Sequence, residues 1–150
     1  YLKNEAIVYS LEHKEAGTCD KVIRVKAGKY SINGSVPLKL EKGVYVVDLK
    51  TGKSVDDTSF MQIAAYRQML VEMGEYKSQD FAGGLIVHTG AKTKSGIQGL
   101  ATLLRTKEEL DQDYLDYRNA SNLWLRTHKN SKPDVFEFPA ILKIKGEENV

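Results

Sequence analysis

The 150 residues carry 41% hydrophobic and 28% charged side chains with a formal net charge of +2. That balance is too apolar for disorder and suffices for one core, and no apolar run approaches the roughly 18 residues of a transmembrane helix. A single cysteine, Cys19, rules out a disulfide framework, a cysteine-based zinc site and a four-cysteine iron–sulfur cluster. With no secretory pattern at Tyr1 to Asn4, the expectation is a reducing, cytoplasmic compartment and no membrane partner.

In chain order, Asn4 to Ser10 reads as a short strand, and Lys21 to Lys26 alternates polar and apolar with period two. Turn signals at Gly28 and Asn33-Gly34 mark a hairpin between Lys26 and Lys42. Gly43 to Asp48 is a run of β-formers suited to a strand covered on both faces. Asp56 or Asp57 can then cap a helix to about Met73 that stops at Gly74, apolar nearly all round and so largely buried. Gly83 to His88 is a second buried strand, Gly90 to Gly96 a basic loop and Ile97 to Leu104 a further strand. Thr106 stands three residues before Glu109, as a capping box requires, and opens a helix to about His128. That helix can bury Leu110, Tyr114, Tyr117, Leu123 and Trp124 or a subset, and the tail turns at Ser131-Lys132-Pro133. The order β-β-β-α-β-β-α predicts one domain over residues 1–150, of mixed α/β (α+β) class, with no internal linker or repeat.

Polar residues interrupt this pattern at strand ends. Asp20 follows Ala16-Gly17-Thr18-Cys19, and Asp48 closes the most apolar strand with Lys50 two positions on. Period-two alternation turns Asp48 and Lys50 to one face and Leu49 to the opposite, packed side. Two readings follow. Asp48 and Lys50 form a half-exposed strand-end ion pair, or Asp20 and Asp48 hold a hard divalent cation while Lys50 orients water or offsets phosphate charge. Gln62 and Tyr66, spaced i, i+4 on one face of the following helix, are its polar-capable exceptions.

Taken together, Glu5, Ala16-Gly17-Thr18-Cys19-Asp20, Val47-Asp48-Leu49-Lys50-Thr51-Gly52-Lys53 and Gln62-Ile63-Ala64-Ala65-Tyr66 resemble the PD-(D/E)XK nuclease superfamily. The pattern is most similar to the RecB-type exonuclease branch, over roughly residues 4 to 90. The resemblance implies a restriction-endonuclease-like core, a central mixed β-sheet flanked by helices. It implies a Mg²⁺- or Mn²⁺-dependent DNA nuclease, an exonuclease of recombination, repair or phage DNA metabolism that leaves 5′-phosphates. Asp20, Asp48, the Leu49 backbone carbonyl and Glu5 would be metal ligands, and Lys50 would assist the attacking water. Gln62 and Tyr66 would shape the site and contact DNA, with Thr51 and Lys53 beside them in the same motif. The alternative is a PD-(D/E)XK-like module that binds nucleic acid, or serves as a structural subunit, without cutting. A homo-oligomer or a helicase or recombination partner would supply processivity.

The pattern departs from that branch in three ways. Its members usually carry a metal-binding histidine in an upstream helical region, whereas this chain begins almost at its first strand. The expectation is a domain lacking that region, either trimmed from a longer chain or dispensing with the histidine. The hairpin lengthens the stretch between Asp20 and Asp48, and the four cysteines of many relatives are absent. Elsewhere, Lys92, Lys94, Arg105 and Lys107 form either a solvated basic loop or a rim of phosphate contacts. Trp124 reads as a core anchor ahead of a base-stacking residue, His13 as a turn residue, His88 as a satisfied core histidine and Cys19 as packing. Gly90 to Gly96 is no phosphate-binding P-loop.

Overall fold

The computed structural model describes residues 2–31, 37–91 and 99–129. Within them, β1 (Lys3–Ser10), β2 (Glu15–Val25), β5 (Gly43–Lys50), β6 (Phe81–His88) and β7 (Ala101–Thr106) form one five-stranded sheet. A separate two-stranded hairpin holds β3 (Gly28–Tyr30) and β4 (Leu38–Leu40), and the helices are α1 (Asp57–Glu72) and α2 (Lys107–Thr127). The sheet order is β1-β2-β5-β6-β7. Only β5 and β6 run parallel, with α1 as their crossover, and the other neighbours are antiparallel. The class is mixed α and β, as expected from the sequence.

Both helices lie on one face of the sheet. Alternation along β5 sends Val44 and Val46 into a core with Ile63, Ala64 and Leu70 of α1 and Leu110 of α2. Tyr45 and Val47 face the other way, where Leu40 of the hairpin joins Val25 and Leu85. That second cover is partial: Leu49 does lie opposite Asp48 and Lys50, but it is 44% exposed rather than packed. The hairpin core reaches Val47 and stops short of it.

Helix ends follow the chemistry of their caps. Asp56 caps α1 by accepting from the Ser59 amide, and the helix is left through Gly74 at φ 74°, which glycine adopts without strain. Thr106 and Glu109 form the reciprocal capping box of α2. Arg67 is buried in α1 and pairs with Asp111 of α2 at 2.7 Å, its other nitrogen donating to the Lys107 carbonyl at 3.5 Å. Glu15 at the start of β2 accepts from Tyr117, Arg118 and Ser121, each at 2.9 Å, which fixes the middle of α2 against the sheet.

The last turns of α2 depart from expectation. Leu110 is fully buried and Tyr114 and Tyr117 pack against the core, but Leu123 and Trp124 are 55% and 54% exposed. Trp124 stacks on His128 at 4.7 Å between ring centroids. Leu123 stands about 140° round the helix from Leu110 and so faces away from the core, while Trp124 lies on the core stripe but meets nothing among the described residues to bury against. β2 begins at Glu15, six residues ahead of the alternating segment, because Ala16-Gly17 hides the period. The expected turn at Ser131-Lys132-Pro133 and most of the Gly90 to Gly96 loop lie outside the described residues.

Leu110 fits against Gly84 and Ile63, where a Cβ on Gly84 would stand 2.6 Å from Ile63 Cδ1. Truncation to Leu110→Ala should cost about 2–5 kcal/mol of unfolding free energy. Urea denaturation should show a lower midpoint with an unchanged slope, and a midpoint at the wild-type value would mean that α2 is not held through this contact.

Candidate metal and phosphate site

The site forms where β5 outruns its antiparallel partner. Pairing of β2 with β5 ends at Lys21 and Val47, so the next residues of β5 keep one hydrogen-bonding edge open. Asp20 fills it: its Oδ2 accepts from the Leu49 amide at 2.8 Å. In a strand the N–H and C=O of one residue face the same edge, so the Leu49 carbonyl is turned to the Asp20 side as well.

Asp20 reaches that edge where the β1–β2 ladder is interrupted. Ala6 pairs with Cys19 and Asn4 with Lys21 in one unbroken register, and only Glu5 and Asp20 between them are unpaired. Cys19 and Val22 both enter the helix-facing core, so the inward–outward alternation slips by one residue between them. Glu5 takes the left-handed conformation at φ 49°, unusual for a residue with a Cβ, and its side chain is exposed.

Asp48 is 5% exposed, which removes the half-exposed surface pair as a description. Its Oδ2 lies 3.0 Å from Lys50 Nζ, and among the described residues no other donor reaches this buried oxygen. Burial pushes the Asp48 carboxyl above its ordinary range; the Lys50 ammonium pulls it back, and the Asp20 charge adds to the rise. Lys50 donates to Gln62 Oε1 at 2.8 Å, and Gln62 Nε2 donates to the Tyr66 hydroxyl at 2.8 Å. The i, i+4 spacing on α1 thus becomes a chain of contacts ending on the Asp48–Lys50 pair.

Gly17 makes room for this chain. A Cβ there would stand 2.6 Å from Tyr66 Cε1, so the ring lies against the backbone of β2. His88, paired with Lys50 across β5 and β6, is buried and meets the Gly52 carbonyl through Nε2 at 2.7 Å. Gly90 crosses Gly52 so closely that a Cβ would collide with the Gly52 oxygen. Thr51 and Lys53 are exposed in the segment so held. Cys19 is fully buried; burial pushes its thiol up to about 12, with the Asp20 and Asp48 charges adding, which suits packing and not ligation or nucleophilic attack.

Asp20, Asp48, Leu49, Lys50, Gln62 and Tyr66 therefore converge, through the bonds above. Glu5 lies beside Asp20 where the ladder is interrupted, but among the described residues no three Asp, Glu, His or Cys side chains are grouped as a metal cage. The donor set nonetheless suits a hard divalent cation: two carboxylates, one of them buried, beside a backbone carbonyl turned to the same edge. Lys92 and Lys94 lie outside the described residues. The other half of that basic cluster is spent internally. Arg105 pairs with Asp57 and Asp113 and stacks 4.0 Å over Phe60, while Lys107 pairs with Asp111.

His88 is the satisfied core histidine that the sequence suggested, buried with Nε2 on the Gly52 carbonyl; that partner, 36 positions away, left no mark in the sequence. Gly17 stood in the quoted motif, but its part as the seat of Tyr66 was not read there, although a glycine inside a strand signals close backbone approach. No family model matches the chain, and no curated protein matches it.

A carboxyl held above its ordinary range makes the native state bind a proton more tightly than the unfolded chain. Its stabilising contribution is complete below the unfolded value of about 3.8 and is lost as pH rises through the raised native value. Asp48→Asn escapes that loss. In EDTA its melting temperature should exceed wild type by a few degrees at neutral pH, the gap closing as pH falls towards the ordinary carboxylate range. A constant gap across that range would exclude burial of this charge as the cause.

Proposed function

We propose that the chain is a metal-dependent DNA nuclease of the PD-(D/E)XK type, RecB-like, with a restriction-endonuclease-like core. It hydrolyses phosphodiester bonds as an exonuclease in cytoplasmic recombination, repair or phage DNA metabolism. The observation that carries this reading is the buried Asp48 carboxylate beside Asp20, its Oδ2 met only by the ammonium of Lys50, a lysine that Gln62 tethers.

Asp20, Asp48 and the Leu49 carbonyl, with Glu5 from the neighbouring strand, would hold Mg²⁺ or Mn²⁺. Such an ion, when bound, supplies positive charge that polarises a phosphoryl oxygen and eases deprotonation of water. The protein's own residues do the rest. Lys50 offers an ammonium held at two points, positioned to orient water and to offset charge that develops on the phosphate. Gln62 fixes Lys50, and Tyr66, seated on Gly17, fixes Gln62. Water adds across the P–O bond, leaving a 5′-phosphate and a 3′-hydroxyl.

End-labelled linear DNA should be degraded in Mg²⁺ and spared in EDTA, while covalently closed circles survive. Lys50→Ala and Asp48→Ala should each lower that activity by at least about 100-fold while keeping a cooperative thermal transition. Full Mg²⁺-dependent activity in Asp48→Ala would remove the assignment. Gly17→Ala, which forces the Tyr66 ring off β2, should lower kcat by about 10- to 100-fold through misplacement of Lys50. An unchanged kcat there would release Tyr66 and Gln62 from any positioning role.

A further inference from the structure

A cleft of about 360 Å³ opens beside the Lys50–Gln62–Tyr66 chain, lined by parts of α1, the start of β2 and α2. Two tyrosines, Tyr66 and Tyr117, and three alanines, Ala16, Ala65 and Ala120, line it, and Gln62 borders it. Each alanine comes from a different element, and a larger side chain at any of the three would begin to fill the space. Both tyrosines are held before anything binds. Tyr66 accepts from Gln62 and lies against Gly17, while the Tyr117 hydroxyl donates to Glu15 at 2.9 Å.

None of the described residues lining the cleft carries a charge, although Lys50 lies one hydrogen bond beyond Gln62 and Glu15 one beyond Tyr117. A phosphate has no counter-charge inside it. A flat, uncharged ring does find partners there, since every nucleobase presents a π-face that stacks on aromatic side chains whatever its sequence. Gln62 belongs both to this cleft and to the Lys50 contact, which puts the cleft one side chain away from the Asp48–Lys50 pair. A base stacked within a duplex does not reach such a pocket without leaving its pair.

We propose that this cleft receives one unpaired nucleobase of the strand being cut. The inference rests on the nuclease reading and adds to it a preference for single-stranded DNA or frayed ends. Rings already fixed in place lose little freedom on stacking, which favours binding.

The chain's methionines provide the test. There are three, of which Met61 and Met69 line the cleft while Met73 caps α1 and borders a different depression. With ¹³C-methyl methionine and EDTA present, titration with single-stranded oligothymidylate should shift the Met61 and Met69 methyl resonances and leave Met73 in place. A covalently closed duplex circle, which has neither ends nor loops, should leave all three unmoved. Ala120→Trp, at an exposed position of α2, should weaken oligothymidylate binding by about tenfold and erase both shifts. Unmoved Met61 and Met69 resonances at the highest oligothymidylate concentration overturn the proposal, as do equal shifts with the closed circle. Because no metal is present, the readout is separate from cleavage. Methyl shifts in a protein that never cuts in Mg²⁺ keep the cleft and remove the nuclease reading, and cleavage without shifts does the reverse.

Discussion

A carboxylate taken out of water needs positive charge or hydrogen-bond donors nearby, and in this fold the need is concentrated on Asp48. It sits where β5, apolar on both faces up to Val47, leaves the shelter of its neighbours and still lies under α1. Lys50 meets that need at Oδ2, where no other donor among the described residues reaches. Much of the surrounding architecture answers to that residue. Gln62 accepts a hydrogen bond from the same ammonium, Tyr66 holds Gln62, and Gly17 is small so that the Tyr66 ring can lie against it. The burial of one carboxylate is thereby tied to a helix and to a neighbouring strand.

The helix boundaries were legible because caps are local chemistry. Asp56, Gly74, Thr106 and Glu109 act within a few residues of themselves, and each does what its type suggests. β5 and β6 were legible as dense runs of β-formers. Burial along α2 was less so, since a helical stripe shows which face is apolar and not how far its cover extends; Trp124 continues the stripe of Leu110, Tyr114 and Tyr117 and is still half exposed, and Leu123 lies off it. Leu49 is the same case in a strand, where alternation gave its face correctly but the hairpin's reach decided its exposure.

For the candidate site, the pairs close in sequence could be read: Asp48 with Lys50 by strand alternation, and Gln62 with Tyr66 by helical spacing. The long-range parts could not. The Asp20 bond to the Leu49 amide depends on where two strands stop pairing, and the left-handed turn of the chain at Glu5 falls where the β1–β2 ladder is interrupted opposite Asp20. Neither leaves a periodic trace. Arg67, buried inside an otherwise apolar helix, is likewise explained only by Asp111 arriving from α2.

The crossing of Gly52 and Gly90 has a mechanical consequence. These residues follow the two parallel strands, β5 and β6, and they meet backbone to backbone with no side chain between them as a cushion. His88 latches the same point from below through the Gly52 carbonyl. Gly52 and Gly90 therefore do not move independently: a shift of either backbone towards the other is a collision. Order at this crossing is a joint property of the two strand ends, so fixing one removes freedom from the other.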